Sequence, residues 1–128
     1  MAIEINLKGK VVLVTGGTRG IGKSIVKYFL LSGAKVLATG TNFDYIKKLN
    51  SENQNKFLIY VQLDLNDSEN VNNFISTQLA NHNIDILINN AGVNIVSAAS
   101  EIPEKDFDKV QKINVNGPCT HPVYAYLR

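Results

Sequence analysis

Residues Val11-Val12-Leu13-Val14-Thr15 form an apolar run that flows into Gly16-Gly17-Thr18-Arg19-Gly20-Ile21-Gly22, and the residues beyond it fall into helical spacing. A chain that writes strand, glycine loop and helix in that order has few folds open to it. The run shows no polar alternation, the pattern of a strand covered on both faces. Glycines allow a tight turn and let backbone approach a ligand with no Cβ in the way. The following helix offers free N–H groups and the positive end of its dipole, so the loop reads as a cradle for phosphate.

The rest of the chain repeats the alternation. Ile21, Ile25 and Phe29, with Val26 and Leu30 beside them, make a helical stripe ending near Ser32-Gly33. Residues 34–39 read as a second strand, 44–49 as a short helix, and 57–63 as a third strand closing at Asp64. Asn66-Asp67-Ser68 caps a helix whose apolar positions are Val71, Phe74, Ile75 and Leu79. Residues 84–88, carrying Ile84, Ile86 and Ile88, read as a fourth strand running into Asn89-Asn90-Ala91-Gly92. A last helix, starting near Ser100 to Pro103, is expected to turn Phe107, Val110 and Ile113 inward. Asn114 stands four residues after Val110, so its amide is expected on the buried face. Parallel neighbours need crossover connections, so these units predict an α/β fold built on a doubly wound parallel sheet.

Composition limits the partners. With 128 residues, 45% of them apolar, there is material for a single domain spanning 1–128. The net charge of +2 comes from 13 basic and 11 acidic residues with no basic run, which argues against nucleic-acid binding. One cysteine, Cys119, precludes an internal disulfide, and His82 and His121 lie far apart with no ligand-spaced thiols, so no metal site is expected. The first residues lack a basic region followed by a long apolar stretch, and no segment has bilayer-spanning length. The expectation is a soluble cytoplasmic protein without membrane contact.

Two phosphate-binding readings compete for the loop. Gly17 to Ser24 satisfies GxxxxGK[ST], in which Lys23 would reach terminal phosphates, Ser24 would hold magnesium and Asp64 would serve as the acidic partner. The bland alternatives are a tight turn, a solvated Lys23 and an Asp64 that only caps the next helix. The same stretch also gives Thr15-Gly16-x-x-x-Gly20-x-Gly22, which resembles the short-chain dehydrogenase/reductase family. Asp64-Leu65 after the third strand, Asn89-Asn90-Ala91-Gly92 after the fourth and Ile113-Asn114-Val115-Asn116-Gly117 later resemble that family in the same order.

The resemblance implies a Rossmann-like fold with Gly16, Thr18, Arg19, Gly20, Ile21 and Gly22 around the pyrophosphate of a nicotinamide dinucleotide. It implies adenine contacts from Asp64 and Leu65, and cofactor contacts from Asn90, Ala91 and Gly92. It also implies a catalytic-site place for Asn114, where the family holds a water linking a catalytic lysine to solvent. Within the family, the loop looks most like that of reductases acting on 3-oxoacyl groups carried by acyl carrier protein.

Cofactor choice rests on the end of the second strand. Enzymes using the unphosphorylated dinucleotide place an acidic residue about 20 residues beyond the glycines to bind the ribose 2′-hydroxyl. Here Thr39-Gly40-Thr41-Asn42 occupies that place. Thr39 and Thr41 can hydrogen-bond a 2′-phosphate and Arg19 can supply charge, so NADP(H) is expected over NAD.

Family chemistry uses a tyrosine whose pKa, ordinarily about 10, is lowered by a lysine four residues on. This chain contains no Tyr-x-x-x-Lys; Tyr124 is followed by Arg128 and reads as a surface or packing residue. The tail after Pro118 departs from the helical pattern at Pro122. These features predict a fold truncated after about four strands, with the C-terminal part of the family fold missing and little activity alone. The fourth strand would then present an apolar edge open to self-association. A noncatalytic dinucleotide-binding remnant and a triphosphate-binding protein stand as the alternatives, and a small-molecule substrate belongs to the complete form.

Overall fold

A computed structural model describes residues 3–120; Tyr124, Arg128, His121 and Pro122 lie outside the described residues. The apolar run becomes β1 (Val11–Val14), and the helix after the glycine loop becomes α1 (Gly20–Leu31). Then come β2 (Lys35–Gly40), α2 (Phe43–Glu52) and β3 (Leu58–Gln62). Next, α3 (Ser68–Phe74) passes into a π-helical turn over Ile75–Leu79 ahead of β4 (Ile86–Ile88). Finally α4 (Glu104–Gln111) passes into a second π-helical turn, Lys112–Asn116, and the short α5 (Gly117–Thr120).

All strand pairs are parallel and the order is β3-β2-β1-β4. The first strand therefore lies in the interior, with Leu13 between Leu37 and Leu87. Alternate residues feed the two faces. Leu13 and Leu37 join Val71, Phe74 and Leu79 of the α3 side together with Ile113, whereas Val12, Val14, Val36 and Ala38 pack with Val26 of α1. Burial on both faces explains why these strands read as continuous apolar runs. Asp67 caps α3 by accepting from the Glu69 and Asn70 N–H groups at 2.9 and 3.1 Å.

Several expectations need correction. The fourth strand's ladder covers only Ile86–Ile88, while Ile84 is buried ahead of it. The reason lies at Asp85, whose carboxylate takes the Val11 N–H at 2.8 Å and the Lys10 ammonium at 3.2 Å. Phe107 is not turned inward: it is 56% exposed, on a helix with no buried residue. A helical stripe is buried only where a sheet lies beneath it, and among the described residues the sheet ends at β4. Asn114 is exposed, because the wider π-helical turn carries it off the α-helical stripe and leaves Ile113 as the buried residue. Among the described residues, no helix is long and apolar enough to cross a membrane.

The Val11 N–H, with Lys10 second, holds the Asp85 carboxyl below the usual carboxylate range. A lowered folded pKa means that its contribution is fully present above the unfolded value of about 3.9 and is lost as pH falls through the folded value. Asp85→Asn is expected to lower Tm at pH 7 and to reduce the loss of stability on acidification below about pH 4; thermal melts across pH check this.

Candidate functional site

A cleft of about 780 Å³ opens at the carboxyl ends of the strands, where the loops after β1, β2, β3 and β4 converge. In open α/β sheets this crevice lies where the chain order reverses, here between β1 and β4. Its geometry is set by one residue of the β1 loop. The nearly buried Thr15 hydroxyl donates to the Ile88 carbonyl at 3.3 Å and accepts from the Asn90 and Ala91 N–H groups at 3.1 and 3.0 Å. The Asn90 amide returns the connection, donating to the carbonyls of Thr15 and Gly16 at 3.1 Å each. The glycine loop and the β4 loop are thus clasped from both sides.

Glycine is required at two of the loop positions. Gly16 has φ +67°, and a Cβ there would sit 3.0 Å from the Ala91 Cα. A Cβ on Gly22 would overlap the Gly16 carbonyl oxygen, so the start of α1 can tuck under the loop only without a side chain. Arg19 occupies the N-cap position of α1 without capping it through its side chain, and the first turn holds no acidic residue. The opening N–H groups of a 12-residue helix are therefore claimed by no side chain, and the dipole there favours an anion.

Of the positions singled out from sequence, Gly16, Thr18, Arg19, Gly20, Ile21, Gly22, Thr41, Asp64, Leu65, Asn90, Ala91 and Gly92 all line this cleft. Thr39 does not: it is 1% exposed, and its hydroxyl accepts the Gly16 N–H at 3.3 Å, so it supports the loop from below. A β2 residue one before the strand's last points into the sheet's packing rather than toward its mouth. Asn114 also stands back from the cleft wall, where its side chain accepts from the Val93 N–H at 2.8 Å and donates to the Val93 carbonyl at 2.9 Å. Lys23 and Ser24 are exposed and do not line the cleft, which leaves the triphosphate pattern without its lysine at the phosphate position.

Sequence reasoning missed Tyr45 and Val93, together with the apolar floor of Ile46, Leu63 and Ile113, and named Asn42 only within the segment at the β2 tip. Asn42 carried a usable signal as an N-cap, and its side chain accepts the Tyr45 N–H at 2.8 Å. The floor residues carried none, since their apolar periodicity is that of any core position. Asp64 is held by its neighbours: its N–H donates to the Asn70 side chain at 2.8 Å and its carboxylate accepts the Asn66 N–H at 2.9 Å.

The short chain dehydrogenase family profile matches residues 10–126, and the chain belongs to that family. It is 36% identical over 119 residues to the 3-oxoacyl-[acyl-carrier-protein] reductase FabG of Aquifex aeolicus, covering 90% of this chain and 48% of the relative. It is 30% identical over 115 residues to an NAD-dependent glycerol dehydrogenase of Listeria innocua, covering 89% and 45%. Among solved structures, a blue fluorescent protein from a metagenomic library, in complex with NADPH, matches with a TM-score of 0.77 at 27% identity, covering 95% of this chain and 53% of that one. The chain spans about half the length of the curated relatives it matches.

Thr15→Val keeps the packing but deprives the Ala91 N–H of its acceptor and leaves the Asn90 N–H only the Ile88 carbonyl at 3.1 Å. It is expected to cost about 1–3 kcal/mol in chemical denaturation, with Thr15→Ser close to wild type.

Proposed function

We propose that this chain is the cofactor-binding portion of an NADP(H)-dependent oxidoreductase that interconverts a carbonyl and an alcohol. The observation that carries the reading is the cradle itself: glycines whose Cβ atoms would be obstructed, set under an uncapped helix N-terminus. A dinucleotide fits it with the pyrophosphate over residues 16–22, the adenosine among Thr41, Asp64 and Leu65, and the nicotinamide ribose toward residues 90–93. When bound, the dinucleotide supplies the hydride. The chain's residues bind and orient it: Arg19 and Thr41 meet the 2′-phosphate, and Asn114 fixes the Val93 backbone beside the cleft. The pairing of Arg19 with a threonine, in place of an acidic residue at the β2 tip, favours the phosphorylated cofactor. Likeness to the Aquifex reductase supports a 3-oxoacyl thioester as substrate class, and a cytoplasmic setting suits such chemistry.

The 128 residues hold no Tyr-x-x-x-Lys, so by itself the chain binds the dinucleotide without turning it over. Titration of the purified chain is expected to show NADPH binding, abolished by Gly20→Asp, which forces a carboxylate onto a residue at φ +55° in the phosphate site. Arg19→Ala should weaken NADPH by roughly tenfold, about 1.4 kcal/mol, and leave NADH unchanged. Lys23→Ala should alter neither. Tight magnesium-dependent ATP binding that Lys23→Ala removes, with indifference to both dinucleotides, overturns the proposal.

Among the described residues β4 is an edge strand with half-buried Ile86, Leu87 and Ile88, and pairing of two such edges is proposed for the isolated chain. Sedimentation velocity over a dilution series should show a reversible monomer–dimer equilibrium; a monomer at every concentration overturns it.

A further inference from the structure

The adenosine end of the cleft is walled by an aromatic side chain that neither the family motifs nor the cradle accounts for. Tyr45 lines the cleft beside Thr41, Asn42, Leu63 and Leu65, yet remains 42% exposed. Its place is tightly set. The Asn42 side chain accepts the Tyr45 N–H at 2.8 Å, and the next residue, Ile46, is buried under Gly40. The Gln62 amide donates to the Thr41 carbonyl at 3.0 Å, fixing the approach to α2 from the tip of β3. A half-exposed ring thus stands at the rim of a pocket whose floor, Ile46, Leu63 and Leu65, is apolar. A flat heterocycle laid on that floor leaves its outer edge and face to solvent unless something covers them. Tyrosine has the rigid apolar face to do so at small entropic cost.

We propose that Tyr45 is an adenosine-binding residue whose ring packs against the adenine, an inference that rests on the dinucleotide reading. The contact is made by the ring, so it acts on both dinucleotides alike and does not choose between them.

The test is calorimetric or fluorescence titration of the full 128-residue chain with NADPH, NADH, 2′,5′-ADP and reduced nicotinamide mononucleotide. Tyr45→Ala is expected to weaken the three adenosine-bearing probes by about tenfold and to leave the mononucleotide unchanged. Tyr45→Phe should stay within about twofold for every probe, since the ring remains. Phe43→Ala is the control: Phe43 lies on the same helix turn, 56% exposed, outside the cleft and under the Lys47 ammonium at 5.5 Å. It should change nothing. Thermal melting of each variant establishes that it is folded. Wild-type binding of NADPH with undiminished affinity in Tyr45→Ala overturns this inference alone, as does an equal loss in Phe43→Ala. Failure of the wild type to bind either dinucleotide overturns the underlying reading with it.

Discussion

The side chains of Thr15 and Asn90 are the hinge on which the site depends. Two loops 75 residues apart in sequence are joined by hydrogen bonds running both ways, from hydroxyl to backbone and from amide to backbone. Backbone groups at strand tips leave the ladder and must find other partners or meet water. Here they are satisfied by two short polar side chains, so the loops reach the cleft with their geometry already set. Among the described residues, no buried side-chain nitrogen or oxygen lacks a partner. A cleft preorganised in this way loses little order when a ligand enters.

Below that clasp, the sheet serves as a ruler. Parallel pairing in register aligns the tips of β1, β2, β3 and β4, so four sequence-distant loops open on one crevice. The opposite end of the sheet is tied separately by Asp85, which replaces a missing ladder contact with its carboxylate. Stability at the amino ends and recognition at the carboxyl ends thus rest on different residues. A change at one end need not disturb the other.

Much of this was legible because a parallel sheet leaves a strong imprint. β1 and β2 carry apolar residues on both faces, and the glycine loop between strand and helix has a pattern that both competing readings tie to phosphate. Twelve of the positions singled out from sequence line the cleft, those beyond the glycine loop and the β2 tip through the family resemblance. What escaped depended on three-dimensional context. Thr39 looks like a ligand group until its burial is known, and Phe107 looks like core until the extent of the sheet is known. Asn114 was misplaced because periodicity assumes an α-helix, and a π-helical turn breaks the count. Tyr45 had no local signature: an aromatic in the first turn of a helix reads the same on a wet face as on a binding wall.

The strand order has a further consequence for how the molecule comes into being. Because β4 docks beside β1, the crevice has one wall until the last strand of the described sheet has been made. A nascent chain leaving the ribosome can form the β1–β2–β3 layer early, since those contacts are between neighbours along the chain. The cleft gains its last wall only once Asn90 has emerged and closed a loop of some 75 residues onto Thr15. Completion of the cleft is therefore coupled to the final stage of the described sheet's assembly.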